Sequence, residues 1–313
     1  MSTELLSKAK GLMFGLAIGD AMGQPTEFIN LDEIKKLYGP EGIQELPTPG
    51  LYTDDTQMTL SIIRGILNSS SDDIEDIMSN IRDEFVKWVY SEEWRTGGAG
   101  RTCTQGVLNM RKGIHWSKSG IKDAKGCGTA MRVLPVGYLY QYDEDKLKQV
   151  AYSSGICTHN HPTADAACIG AAYAIKYILD KNPITLLPLH MAEFTEGMSD
   201  EWDQALSRLH VVLTTESFWD DEEAALKFLG EGWIAEEAVI LALYCFLRYP
   251  NDYRKVVTRA ANTNGDSDSI ACIAGGFSGV YLGIDSIPKE WINRLNNNKY
   301  IEEISIKLFE NLV

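Results

Sequence analysis

Two segments of the chain carry glycine at every fourth position: Gly11, Gly15, Gly19 and Gly23 near the start, and Gly275, Gly279 and Gly283 near the end. Inside a helix a glycine costs about 1 kcal/mol relative to alanine, so rows of them need a compensating contact. The residues between them are largely apolar, which suits helices better than loops. At i, i+4 spacing the glycines share one face and leave it bare, so a second backbone can approach closely. The pattern predicts two helices deep in the core, free to lie against each other.

The other long segments also have helical periodicity. Apolar residues recur at steps of three and four over 58–67, 81–89, 164–179 and 235–247. Period-2 strands are scarce, no proline- or serine-rich linker divides the chain, and no repeat of 20 to 50 residues occurs. These features predict an all-α protein with one domain over 1–313. The 44% hydrophobic and 23% charged residues fit a packed globule and exclude extensive disorder.

The net charge of −15 repels nucleic acid and anionic lipid at long range, so no nucleic-acid groove is expected. A phosphate-bearing substrate would need a local positive device, and a bound divalent cation is one. The six cysteines form no CxxC pair. In a chain of this size they read as reduced thiols, which favours the cytoplasm. Lys8 and Lys10 precede an apolar run at 11–19 that imitates a short leader peptide. Glu4, the glycines and Asp20 argue against that reading. No stretch approaches the roughly 20 apolar residues of a membrane span.

Chemistry concentrates in two clusters, Thr53-Asp54-Asp55-Thr56 and Asp266-Ser267-Asp268-Ser269, each just before an apolar-periodic helix. Helix capping explains one carboxylate at each place, since Asp, Ser and Thr are favoured N-caps and acids suit the first turn. It does not explain two, because neighbouring carboxylates repel. Metal binding is the alternative, and composition alone leaves both open. Carboxylates and hydroxyls without Cys or His would suit hard cations such as Mg²⁺, Mn²⁺ or Ca²⁺. Four aspartates would balance two divalent ions, an arrangement known in catalysis at spacings of about 3.5–4 Å.

Five short patterns, in order along the chain, resemble the ADP-ribosylglycohydrolase family: GLAIGDAMGQPTE at 15–27, YTDDT at 52–56, GCGTAMR at 126–132, TH at 158–159 and GDSDSIA at 265–271. The resemblance implies a compact single-domain orthogonal helical bundle with two Mg²⁺ ions, replaceable by Mn²⁺, at the base of a cleft. It implies Thr53, Asp54, Asp55, Asp266, Asp268 and Ser269 as metal ligands. Glu27, Asp55 and Asp268 would be the catalytic carboxylates, with Glu27 at the mouth of the site as acid or base. Gly126, Cys127, Gly128 and His159 would hold ADP-ribose, the glycine turn offering N–H groups to the pyrophosphate.

Asp20, set among apolar residues, is expected to cap or hydrogen-bond backbone near the site, because an unpaired buried charge is costly. Trp233 reads equally as a base-stacking residue and as core. His159 and His161 lack a third partner for zinc. Two positions depart from the family pattern. Gly98 and Ala99 stand where many members carry a loop Asp, and Cys127 stands where Asn is common; both weigh against ADP-ribosyl-arginine as substrate. The expected reaction is hydrolysis of the N- or O-glycosidic bond between ADP-ribose and an acceptor, an ADP-ribosylated protein side chain or a small molecule. The alternatives are a two-metal phosphoester or pyrophosphate hydrolase and a non-hydrolytic ADP-ribose-binding protein.

Overall fold

The computed structural model describes residues 2–312. Among them the only regular strands are the two-residue Ile121–Lys122 and His159–Asn160, paired in parallel; helices make up the architecture. One continuous hydrophobic core runs from Ala9 to Leu308. No described helix is long and apolar enough to cross a membrane, and all six cysteines are free.

The two glycine-bearing segments form helices Ser2–Gly23 and Ser267–Leu282, which pack face to face and antiparallel. Their glycines interlock. A Cβ on Gly11 would strike the carbonyl of Gly279, one on Gly15 that of Gly275, and one on Gly19 that of Ala271. The second row is shorter than its spacing suggested, because Gly283 ends the helix with φ +86°. The next contact along the ridge falls to Ala271. The leader-like run at 11–19 is thus the fully buried centre of a core helix.

The end of this ridge builds the site. Gly23 lies so close to Ser267 and Asp268 that a Cβ there would meet the Asp268 Cα at 2.5 Å. Three residues earlier, Asp20 is completely buried and accepts the backbone N–H of Thr53 at 2.9 Å, the N–H of Thr56 at 3.0 Å and the Thr56 hydroxyl at 2.5 Å. One helix therefore fixes both acidic clusters, which lie more than two hundred residues apart in sequence.

Two of the other helices begin well ahead of their apolar periodicity. Helix Asp54–Leu67 takes in the first acidic cluster, and Ile74–Trp88 starts seven residues before 81. Their opening turns carry Asp, Glu and Thr, which favour a helix start without contributing to an apolar stripe. Pro162–Leu179 and Ala235–Arg248 match expectation to within two residues.

Candidate active site and metal centre

A cleft of about 240 Å³ opens where the two clusters meet. Asp54, Asp55, Asp266, Asp268 and Ser269 line it from the two helix starts, and Glu27 from the turn after Gly23. Carboxylate oxygens of Glu27, Asp266 and Asp268 all lie within 4.8 Å of one another. Glu27 therefore stands with the acidic cluster as a candidate ligand. A larger cavity of about 920 Å³, bordered by Lys8 and Tyr281 at the opposite end of the glycine ridge, contains none of these groups.

The hydrogen bonds test the capping explanation. Thr53 does cap, accepting the N–H of Asp55 at 3.4 Å, and it is not among the cleft-lining residues. Asp54 is held by the N–H of Gly100 at 3.1 Å. Asp266 occupies the N-cap position of Ser267–Leu282, yet its side chain caps nothing. Asp268 accepts the N–H of its neighbour Ser269 at 3.0 Å. One oxygen of Asp55, a residue 2% exposed, has no partner at all. Buried carboxylate oxygens are rarely left so, and an oxygen-rich donor set with an orphaned anion fits a hard divalent cation.

Electrostatics points the same way. Burial pushes every one of these carboxyls above its ordinary range, and for Glu27, Asp54, Asp55 and Asp268 the neighbouring carboxylates add to it. Asp54 reaches about 6, raised by burial and then Asp266; Glu27, half-buried, reaches about 8, raised by burial, Asp266 and Asp54. Asp55, Asp266 and Asp268 are shifted upward mainly by burial. So many acids in one cleft are stable as anions only beside a positive charge.

Gly126, Cys127 and Gly128, at the end of the segment 121–128, also line the cleft. The short strand pair joins that segment to His159, Ala235 donates its N–H to Lys125 O at 2.9 Å, and the Lys125 ammonium binds the buried Glu236 at 2.7 Å. His159 packs on Gly126 and Gly128; a Cβ on Gly128 would lie 2.7 Å from its ring. Its Nδ1 meets the Thr158 hydroxyl at 2.9 Å. Burial and then the nearby Arg132 lower its pKa to about 3, so the ring is neutral. Arg132 itself is fully buried, donating to Ser154 O at 2.7 Å and the Thr158 hydroxyl at 2.8 Å.

The glycine turn differs from expectation at Cys127. Its N–H is already given to Trp233 O at 3.2 Å, and its thiol faces the acidic cluster, donating to Asp266 Oδ2 at 2.7 Å. That N–H is therefore not free for a pyrophosphate. Trp233 is cleft-lining and partly exposed, stacked on Phe28 with ring centroids 5.2 Å apart, so the core reading does not hold. His161 only caps helix Pro162–Leu179 through Thr163 N–H. Sequence reasoning passed over Phe28 and Arg101. Phe28 is exposed beside Glu27 with φ +67°, and Arg101 lies on the cleft wall just after the loop at 97–100. A cation directly after a glycine-rich loop was the one available signal for the second.

The ADP-ribosylglycohydrolase family profile matches residues 1–312. The ADP-ribosyl-[dinitrogen reductase] glycohydrolase of Rhodospirillum rubrum is 27% identical over 92% of this chain and 90% of its own length. The human ADP-ribosylhydrolase ARH3 is 26% identical over 91% of this chain and 88% of its own. A solved structure of an ADP-ribosylglycohydrolase-related protein complex superposes with a TM-score of 0.74 at 24% identity, covering 99% of this chain and all of that one, which shows the shared fold. With the acidic cleft and the whole-length match together, the chain belongs to the ADP-ribosylglycohydrolase family and is a hydrolase of glycosidic bonds.

Proposed function

We propose that the chain releases ADP-ribose from an acceptor, a protein side chain or a small molecule, by hydrolysing the bond at the ribose carbon. Two Mg²⁺ ions, replaceable by Mn²⁺, would be held by Asp54, Asp55, Asp266, Asp268, Ser269 and, from the helix cap, Thr53. The orphaned oxygen of Asp55 inside a cleft of five carboxyls carries this reading. The relatives named for acting on ADP-ribosylated substrates support it. Such ions, when bound, fix ribose hydroxyls and lower the pKa of a coordinated water.

The protein's own groups supply the rest. Glu27 sits at the mouth, close to Asp266 and Asp268, and moves the proton to or from the scissile bond. Asp55 and Asp268 face the same space and hold negative charge against an oxocarbenium-like transition state. His159, neutral and tied at Nδ1 to Thr158, offers Nε2 to ADP-ribose without adding charge. Arg101 on the cleft wall suits the pyrophosphate. The loop at 97–100 offers Gly98 and no carboxylate to the cleft, which weighs against an arginine-linked acceptor.

The test is a panel of Arg-, Ser-, Asp/Glu-, thymidine- and acetyl-linked ADP-ribose, with and without Mg²⁺, scored by product. Intact ADP-ribose that forms only with metal supports the proposal. AMP as product would indicate pyrophosphate cleavage instead. Glu27→Gln should lower turnover by roughly 10²-fold or more, and near-normal turnover would leave Glu27 a positioning role.

A further inference from the structure

Cys127 is the one cysteine of the six that is not fully buried, and it stands in the wall of the acidic cleft. Its Sγ lies 2.7 Å from Asp266 Oδ2 and 3.4 Å from the Ser269 hydroxyl. Both belong to the proposed ligand set, so an ion that takes those two oxygens sits within reach of the sulfur. The unpartnered oxygen of Asp55 lines the same space. A hard cation has little affinity for sulfur, whereas thiolate strongly favours zinc- and cadmium-class ions.

Resting on the metal reading above, we propose that Cys127 gives this cleft a second binding mode, in which a thiophilic divalent cation is held by its sulfur together with Asp266 and Ser269. With Mg²⁺ or Mn²⁺ the thiol stays protonated and orients Asp266 by donating to it. With a thiophilic ion the metal–sulfur bond forms, a metal-bound water leaves, and the thiol proton passes to solvent. The two modes compete, because both draw on Asp266 and Ser269. A soft cation is therefore a tight competitor of the hard one at this site.

Cys103 supplies the internal control. It also borders the cleft, but its sulfur is packed against the Arg132 guanidinium at 3.5 Å, where a second cation is repelled.

The experiment titrates the whole, metal-free protein with Cd²⁺, reading the ultraviolet thiolate-to-cadmium charge-transfer band while equilibrium dialysis counts bound ions. Wild type and Cys103→Ser should show the band. Cys127→Ser and Cys127→Ala should both lose it and bind Cd²⁺ about tenfold or more weakly, while Cys127→Ser, whose hydroxyl can still donate to Asp266, should keep Mn²⁺ affinity within about threefold of wild type. In wild type and Cys103→Ser, excess Mn²⁺ should delay the band. Bound Cd²⁺ without a band, a band that survives in both Cys127 variants, or a band indifferent to Mn²⁺ overturns the assignment while leaving the metal centre standing. Failure of wild type to bind either Cd²⁺ or Mn²⁺ overturns the metal centre itself.

Discussion

The carboxylate of Asp20 accepts the backbone N–H of Thr53 at 2.9 Å, although 33 residues separate them. Asp20 belongs to the helix whose last glycine, Gly23, rests on Asp268. The spacing of the two acidic clusters is therefore set by a rigid ridge rather than by loops, as a centre with tight geometric demands requires. The same carboxylate fixes the start of helix Asp54–Leu67 by accepting two backbone N–H groups and one hydroxyl there.

Asp20→Asn keeps the shape and replaces one acceptor oxygen by a donor. At least one of the three donors then faces an N–H₂ group in a fully buried place. The expected loss is about 1–3 kcal/mol, seen as a melting temperature lower by several degrees, together with weaker Mn²⁺ binding by calorimetry. Unchanged melting and unchanged Mn²⁺ affinity would show that Asp20 does not organise the site.

Two glycine-to-alanine changes should have opposite signs. At Gly15 the added methyl collides with the Gly275 carbonyl, a backbone atom that cannot step aside. Overpacking typically costs about 1–3 kcal/mol, more than the roughly 1 kcal/mol of helix propensity gained. Gly155, near the end of helix Glu144–Ile156, would place its methyl 3.4 Å from Cys168 Sγ and 3.5 Å from Thr129 Cγ2, ordinary contacts. Gly155→Ala should therefore stabilise by a few tenths up to about 1 kcal/mol. Thermal melts of the two variants check the pair, and a stabilising Gly15→Ala would refute the interlock.

The ridge was legible because its signal is local and periodic: bare positions every fourth residue can serve only a close approach. Its exact partners were not, since Ala271 does with a methyl what a glycine does elsewhere, and Gly283 turns out to be a cap. The acidic clusters could be read for the same reason, each being contiguous. What remained hidden were meetings across long separations. Cys127 and Asp266 are 139 residues apart, and nothing near Cys127 marks its thiol as facing carboxylates. The strand pair that brings His159 to the 121–128 segment is two residues long, too short for alternation to reveal.

Asp165 offers a pH test away from the acidic cleft. It lies near the start of helix Pro162–Leu179, one of its oxygens has no partner, and burial pushes its carboxyl up to about 7. The folded protein thus keeps a proton that the unfolded chain gives up near pH 4. Where the native state binds more protons, stability falls as pH rises. The loss from this group accumulates between about pH 4 and 7 and persists above. Asp165→Asn removes it, so the variant should gain on wild type by about 1–2 kcal/mol at pH 8, a value reduced for partial solvent access. At pH 4 it should gain almost nothing. Melting curves of both proteins across pH 4–8 measure the difference, and a gap that does not widen with pH would contradict this account.

Asp268→Asn separates capping from metal binding most directly. If the second cluster only started a helix, the change would be nearly neutral, because Asn and Asp cap about equally well. The structure already weakens that explanation: Asp266 holds the N-cap position without capping, and Asp268 accepts only the N–H of Ser269. As a ligand, by contrast, Asp268 sits within 4.8 Å of carboxylate oxygens of Glu27 and Asp266, where it can be shared between neighbouring ions. Losing its charge should then weaken both sites at once. In the metal-free protein the substitution should even raise the melting temperature, since it removes one of several buried, mutually repelling carboxyls. The expected signature is therefore three-fold: unchanged circular dichroism, equal or higher metal-free stability, and a fall in Mn²⁺ affinity and ADP-ribose release of roughly 10²-fold or more. Wild-type Mn²⁺ binding and turnover in Asp268→Asn would remove it from the proposed ligand set.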